Sequence, residues 1–172
     1  LGSNLGKPYD NLMLAIDHLQ GKYGKNILLD DIKLSKIYQS KAIVTDEAPN
    51  HWRDLDYLNI AIMGETEYSP HDLLAEIKQI EQIIGRDLNS AKWAPREIDI
   101  DILLYDDLIL SDDILQIPHK MLLKRDFALK PLVDLIPQQK FHLPNEFYNK
   151  SYRDIYDILF DNDNLTIYNR KL

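Results

Sequence analysis

The sequence predicts an α+β domain with a ferredoxin-like βαββαβ core, in which helices pack on a mostly antiparallel sheet in three α-β-α layers. Two segments that begin at a proline carry apolar residues at helical spacing, and several shorter segments alternate apolar with polar residues. These segments follow one another as strand fragment, helix, strand, strand, helix and strand, which is the order of that core. A length of 172 residues is enough for one domain with its own core.

The first half of this core contains a helix and two strands. A helix is predicted from Pro8 to before Gly21 and Gly24, with apolar positions at Leu12, Leu14, Ala15, Ile16 and Leu19. Alternation from Ile27 to Tyr38 predicts a strand with a bulge near Asp30-Asp31. A polar loop from about Ser40 to Arg53 then leads to a second strand, roughly Asp56 to Thr66.

The second half begins with a helix that Ser69 caps, Pro70 opens and Gly85 ends. Its buried stripe is predicted to contain Leu73, Leu74, Ile77, Ile80, Ile83 and Ile84. A polar loop from Arg86 to Glu97 precedes a strand from Ile98 to Tyr105 and a hairpin-like segment around Ile109. We expect a helix near Phe127 to Leu135, interrupted or restarted at Pro131, and a last short helix around Tyr152 to Leu159.

Composition excludes several classes of protein. No apolar run approaches the roughly 18 residues of a membrane helix, and a net charge of -8 disfavours non-specific nucleic-acid binding, so neither partner is expected. The chain lacks cysteine, which excludes disulfides and thiol nucleophiles and favours a cytoplasmic location. Because the chain starts without methionine, we expect further residues, trimmed or disordered, upstream of Leu1.

The predicted strand after the polar loop carries two carboxylates on one face. Asp99 and Asp101 point one way, whereas Ile98, Ile100 and Ile102 point the other. Carboxylates about 7 Å apart along a strand repel each other unless a cation neutralises them, and their oxygens favour magnesium. The alternative is a solvated strand face with two surface acids, because Asp-x-Asp alone is common.

Cations lie just upstream of this pair. Lys92, Arg96 and Arg86 share a polar loop with Trp93, and phosphoryl transfer needs both metal ligands and cations to offset developing charge. Mutual salt bridging on the surface is the alternative interpretation. The sequence has no Gly-rich Walker loop or Rossmann fingerprint.

The run from Lys92 to Leu103, Lys-Trp-Ala-Pro-Arg-Glu-Ile-Asp-Ile-Asp-Ile-Leu, resembles the signature of 6-hydroxymethyl-7,8-dihydropterin pyrophosphokinases. Separate matches to the family follow in family order: Leu1-Gly2-Ser3-Asn4-Leu5-Gly6, Tyr57-Leu58-Asn59, Glu81 with Gly85-Arg86, Pro118-His119 and Arg125-Asp126-Phe127. The resemblance covers about Leu1 to Phe160.

This resemblance implies transfer of pyrophosphate from ATP to the pterin hydroxymethyl oxygen in folate biosynthesis, with release of AMP and with Mg²⁺ bound by Asp99 and Asp101. It implies catalytic roles for Arg86, Lys92 and Arg96 beside these two acids. The residues implied at the ATP site are Glu81, Arg86, Lys92, Arg96, Ile102, His119 and Arg125. Those implied at the pterin site are Ser40, Ile43, Tyr57, Asn59, Trp93 and Phe127.

Without the family, Tyr57 and Phe127 would be interpreted as core aromatics and His119 as a surface histidine. Asn59 inside an apolar strand still indicates a ligand, because a buried amide needs partners and a ligand can supply them, and its alternative is a core amide satisfied by backbone. The chain also departs from the family pattern. Leu88 and Lys92 stand where many relatives have arginine, and Lys41-Ala42 stand where relatives often have prolines.

We predict a pyrophosphokinase domain over residues 1–160 and a linker or the start of a following domain over residues 161–172. The tail resembles the junction into a dihydropteroate synthase in bifunctional folate proteins, and an ordinary chain terminus is the alternative. Two other functions stay open on the residues alone: a phosphotransferase acting on another alcohol, and a non-catalytic module of the same fold.

Overall fold

The computed structural model describes residues 1–23, 26–42, 48–87, 90, 94–143, 145–160 and 165–169. A four-stranded antiparallel sheet has the order β1-β4-β3-β8, and β2 pairs with β5 and β6 with β7. The strands are β1 Gly2–Ser3, β2 Asp30–Leu34, β3 Tyr38–Ser40, β4 Tyr57–Asn59, β5 Ile62–Glu65, β6 Leu110–Ser111, β7 Gln116–Ile117 and β8 Thr166–Ile167. The α-helices are α1 Pro8–Leu19, α2 Asn50–Arg53, α3 Pro70–Ile84, α4 Asp126–Leu135 and α5 Tyr152–Leu159, with a 3₁₀ turn at Leu122–Lys124.

The two predicted helices on one face of the sheet, α1 and α3, are confirmed. Pro8 and Pro70 occupy the first turns, where a missing N–H costs no helical hydrogen bond. The Ser69 side chain accepts a hydrogen bond from the backbone N–H of Asp72. Gly85 ends α3 with a φ of 117°, a conformation that glycine adopts without strain.

Each of the two predicted long strands is divided in the structure. The first becomes β2 and β3, with the predicted bulge after Asp30, where Asp31 has a positive φ. The second becomes β4 and β5. The division follows a change of neighbour, because β4 lies between β1 and β3 whereas β5 pairs with β2.

The predicted strand from Ile98 to Tyr105 is extended, but it pairs with β1 only at Asp99, opposite Gly2. The predicted alternation is confirmed, since Ile98, Ile100 and Ile102 are buried and Asp101 is exposed. A strand is defined by its hydrogen-bonded neighbours, and sequence alternation alone cannot supply them.

Pro131 does not interrupt α4, so that prediction was wrong. The helix continues through it from Asp126 to Leu135. The ring of Pro131 is fully buried in the layer that also contains Leu129 and Val133. Its burial offsets the one helical hydrogen bond that a proline removes.

The helices form two layers around the sheet, which confirms the α+β class and its antiparallel character. On one face α1 and α3 pack on Leu58, Ile60, Ile98 and Ile100. On the other face α4 and α5 enclose a second cluster around Phe141. Within the described ranges, no helix is both long and apolar enough to cross a membrane.

The final strand, β8, closes the outer edge of β3. Thr166 lies opposite Gln39 and Ile167 opposite Tyr38. Leu165 is buried, and the backbone N–H of Tyr168 donates to the carbonyl oxygen of Ile37. These residues therefore belong to the same sheet as β3, whereas the predicted linker residues 161–164 lie outside the described ranges.

Candidate functional site

A cavity of about 250 Å³ lies between the sheet and the first half of α4. The sheet, the extended segment after the polar loop and α4 each contribute to its walls. The lining residues predicted from the sequence are Ser40, Tyr57, Asn59, Arg96, Asp99, Asp101, His119, Arg125 and Phe127.

The sheet wall is formed by the ends of β3 and β4. Tyr57 and Asn59 face the cavity because Leu58 between them faces the α1 and α3 layer. The Asn59 Nδ2 donates to the Ser40 Oγ at 3.0 Å, and both side chains are buried. A side chain at Gly2 would place its Cβ 3.1 Å from Asn59 Oδ1, so glycine keeps that oxygen clear.

The opposite wall is formed by the first turns of α4. Phe127 and Pro131 line it, and the Arg125 guanidinium lies 5.7 Å from the centre of the Phe127 ring. Burial raises the pKa of Tyr57, which keeps its phenol neutral. The cavity therefore has two neutral aromatic rings in its walls.

The two aspartates differ in their surroundings. The Asp99 carboxylate accepts from Arg86 at 2.5 Å and lies 3.2 Å from the Arg96 guanidinium. Burial raises the pKa of Asp99, but the charges of Arg96 and Arg86 outweigh it and hold that pKa below its ordinary value. Asp101 is exposed at the cavity.

Glu81 lies beneath this cluster and has no exposed surface. Its Oε1 accepts from the backbone N–H of Ile100 at 2.7 Å and from Arg86 at 2.5 Å, and its Oε2 pairs with Lys78. Ile100 separates the two aspartates, so the buried carboxylate fixes the backbone from which both project. Glu81, Arg86 and Ile102 do not line the cavity.

His119 lies beside the acidic pair. Its backbone N–H donates to the carbonyl oxygen of Leu103, which positions the ring at the cavity. Burial lowers the pKa of His119 although Asp101 raises it, so the imidazole is neutral at pH 7. A neutral imidazole offers one N–H donor.

Three predicted site residues, Ile43, Lys92 and Trp93, lie outside the described residues. Sequence reasoning missed the cavity residues Gly2, Leu103, Ala128 and Pro131. Gly2 and Ala128 have little or no side chain to signal a site. Pro131 was noted only as a helix breaker.

Asp99 and Asp101 are the residues that could hold a metal ion. In the described ranges, no three histidine, cysteine, aspartate or glutamate side chains come together as a metal site. The protein would supply two carboxylates, and the other ligands would have to come from a substrate or water. That donor set fits Mg²⁺, which keeps several non-protein oxygen ligands.

Comparison with known proteins identifies the family of the chain. The family model for 7,8-dihydro-6-hydroxymethylpterin-pyrophosphokinase matches residues 1–137. A 2-amino-4-hydroxy-6-hydroxymethyldihydropteridine pyrophosphokinase of Aquifex aeolicus is 38% identical over 137 residues, which cover 80% of this chain and 78% of that protein.

Longer relatives are similar over one part of their length. A folate synthesis bifunctional protein of Chlamydia caviae is 38% identical over 160 residues, 92% of this chain and 34% of that protein. The corresponding protein of Chlamydia trachomatis is 40% identical over 151 residues, 87% of this chain and 32% of its own length. The chain thus spans about a third of these relatives, and it belongs to the 7,8-dihydro-6-hydroxymethylpterin-pyrophosphokinase family.

Proposed function

We propose that the chain transfers the pyrophosphoryl group of ATP to the hydroxymethyl oxygen of 6-hydroxymethyl-7,8-dihydropterin and releases AMP. The observation that carries this proposal is the composition of one cavity. Its walls combine two aromatic rings and a buried amide with two carboxylates and several nitrogen donors. The aromatic rings and the amide suit a flat heterocycle that bears an alcohol. The carboxylates and nitrogen donors suit a polyphosphate.

The pterin ring would lie between Tyr57 and Phe127, because planar rings favour stacking. Asn59 would bind its amide edge. The Nδ2 of Asn59 already donates to Ser40, and Gly2 leaves the Oδ1 clear, so that oxygen is available to an N–H of the ring. Ile43 and Trp93 remain predicted members of this half of the site.

The triphosphate would lie at the charged wall. Arg96 and Arg125 provide charge-assisted donors, and neutral His119 provides one more. Arg86 lies behind Asp99 and would move its hydrogen bonds toward phosphate as the nucleotide binds. Lys92 and the backbone of Ile102 remain predicted contacts to ATP.

Asp99 and Asp101 would hold Mg²⁺, which when bound offsets phosphate charge. Glu81 acts as a positioning residue for both acids through Ile100 and Arg86. The pterin hydroxyl oxygen attacks the β-phosphorus while the bond from that phosphorus to the oxygen bridging the α-phosphorus breaks. The hydroxyl proton passes to solvent and AMP leaves. Positioning and charge supply most of the acceleration, and no covalent enzyme intermediate is required.

Calorimetric titration of 6-hydroxymethylpterin, with and without Mg²⁺ and a non-hydrolysable ATP analogue, tests this function. We expect pterin binding that strengthens when metal and nucleotide are both present. Nucleotide binding without pterin binding under any condition would instead indicate a phosphotransferase for another alcohol. No binding of either ligand would indicate a non-catalytic module.

We also propose that residues 1–160 form the pyrophosphokinase domain of a longer folate protein, with a dihydropteroate synthase fused to it. The description of the Chlamydia relatives as bifunctional supports a fusion. An immunoblot that detects a protein of about the size of this chain alone in cell extract would contradict it. A cytoplasmic location remains a prediction from the cysteine-free sequence.

A further inference from the structure

The cavity lies between two rows of side chains, one on α4 and one on β3. On α4, Phe127, Pro131 and Asp134 are spaced four and three residues apart, which places them along one face of the helix. On β3, Tyr38 and Ser40 are two residues apart and therefore point to the same face of the sheet. Phe127, Pro131 and Ser40 line the cavity. The remaining members of the two rows, Tyr38 and Asp134, do not line it.

Tyr38 and Asp134 join the two rows by a hydrogen bond. The phenol of Tyr38 donates to Asp134 Oδ2 at 2.9 Å, and the backbone N–H of Lys36 donates to the same oxygen at 3.2 Å. Tyr38 is only 3% exposed, and Asp134 is half-buried. A hydrogen bond from a phenol to a carboxylate is charge-assisted, and the second bond ties the same oxygen to the backbone before β3. The contact therefore holds α4 at a set distance from β3.

Tyr38 shares one surface of the sheet with the side chains that face the cavity. In the pairing of β3 with β4, Tyr38 lies opposite Asn59, and Ser40 lies opposite Tyr57. Residues directly opposite each other in an antiparallel pair point to the same face, so these four side chains form the corners of one surface. Asn59 and Ser40, at two diagonal corners, are joined by their own hydrogen bond. The distance to α4 that Tyr38 sets at its corner is therefore shared by the other three.

The separation between Tyr57 and Phe127 decides how well a flat ring can stack between them. A gap of about 0.5–1 Å on one side already loses roughly a quarter to a half of the dispersion attraction of the atoms that face it. Phe127 is seven residues before Asp134, about 10 Å along the same helix at 1.5 Å per residue. Because a helix of this length moves as one body, a shift at Asp134 is transmitted to the Phe127 ring.

We propose that Tyr38 and Asp134 are positioning residues that set the separation of the two aromatic walls, and with it the affinity of the cavity for a flat heterocycle. This inference rests on the proposed function, which places the pterin ring between those walls. Without the hydrogen bond, α4 moves relative to the sheet and the ring loses close contact with one wall. Asp99 and Asp101 lie on neither β3 nor α4, so nucleotide binding should change little.

Tyr38→Phe tests the proposal, because it removes the hydroxyl and keeps the buried ring. Calorimetry measures the dissociation constant of 6-hydroxymethylpterin with Mg²⁺ and a non-hydrolysable ATP analogue present, and that of the analogue with Mg²⁺ alone. We expect Tyr38→Phe and Asp134→Ala to weaken pterin binding by about fivefold or more and to leave nucleotide binding within about twofold. Asp134→Asn keeps an acceptor for the phenol and should restore most of the pterin affinity.

Ser151→Ala, in the cap of α5, is the control for a loss of stability alone and should bind pterin as the parent chain does. Parental pterin affinity in Tyr38→Phe, or an equal loss in the control, would overturn the inference. Equal weakening of pterin and nucleotide binding in Tyr38→Phe would also overturn it, because the effect would then not be confined to the ring. A parent chain that binds no pterin under any condition would instead overturn the proposed function, and this inference with it.

Discussion

The two walls of the cavity are held in place by different kinds of contact. On the sheet wall a neutral, buried hydrogen bond joins Asn59 to Ser40. On the charged wall Arg86 and Arg96 hold Asp99 through ion pairs. A buried neutral hydrogen bond keeps its geometry before and after binding, whereas an arginine can exchange a carboxylate for a phosphate. The comparison teaches that the sheet wall is preorganised, whereas the charges of the other wall are paired internally and could rearrange around a bound phosphate.

The largest effect on turnover is expected at the charged wall. Asp99→Ala and Asp101→Ala should each lower kcat by about a hundredfold or more, because each removes one of the two carboxylates proposed to hold the metal. Loss of the exposed Asp101 should change Tm little. Steady-state kinetics of AMP release measures the effect, with Asp113→Ala, at an exposed acid of the β6–β7 hairpin, as control. Full activity of either cavity variant would contradict the proposed metal assignment.

The largest loss of stability is expected at Glu81, which lies below the charged wall. Glu81→Ala should lower the free energy of unfolding by about 3 kcal/mol or more, because it leaves Arg86 without its buried partner. Urea denaturation measures this change. Glu76→Ala on the same helix is the control and should cost under about 0.5 kcal/mol. Equal stability of the two variants would show that the buried carboxylate does not hold the charged wall.

Substitutions in the sheet wall should change the binding of one substrate only, the pterin. Asn59→Ala should weaken pterin binding about tenfold and leave nucleotide binding unchanged, because the proposed hydrogen bond to the ring is lost. Ser40→Ala removes only the partner of the amide and should have a smaller effect. Calorimetry with each ligand separately measures both. A matching loss of nucleotide affinity would mean that the two walls are not independent.

The smallest effect is expected at Asp154, a carboxylate remote from both walls of the cavity. Asp154 and Ser151 form a capping box at the start of α5, and the hydrogen bond from the Ser151 side chain is the main cause that lowers the pKa of Asp154. A carboxyl whose pKa is lowered by folding stabilises the fold above its unfolded pKa near 3.8, and this stabilisation is lost as pH falls through the lower folded value.

Asp154→Asn should therefore be less stable than the parent chain at pH 7, and the difference should shrink as the pH falls below about 4. Thermal unfolding at several pH values measures it. Ser151→Ala, which removes the cap, should cost about 1 kcal/mol. Neither change should alter kcat. A loss of turnover in Asp154→Asn would contradict the expected difference in kcat between this remote carboxylate and Asp101 in the cavity.

Local signals in the sequence were enough to predict the helices α1 and α3. Pro8, Ser69, Pro70 and Gly85 act on the backbone beside them, so their effect does not depend on the rest of the fold. Strands depend on neighbours that are distant in sequence, which explains why the predicted strand from Asp56 to Thr66 is divided and why the segment from Ile98 to Tyr105 pairs at one residue.

The same distinction applies to the site. Alternation correctly predicted that Asp99 and Asp101 share a face. It could not predict that they differ, because Asp99 meets Arg86 only through the packing of α3 on the extended segment. Helical spacing places residue 81 four positions after Ile77, on the buried stripe of α3, but it cannot identify the distant partners of the buried Glu81 carboxylate.

The pairing of β8 with β3 has a consequence for the order of folding. Residues that close this edge of the sheet lie more than a hundred positions after the residues that they cover. During synthesis from the N-terminus, β3 and β4 can meet long before Tyr168 leaves the ribosome. The nascent chain therefore exposes an open strand edge beside Ser40 until β8 has been synthesised, and a protein shortened at Phe160 would expose it permanently and tend to self-associate.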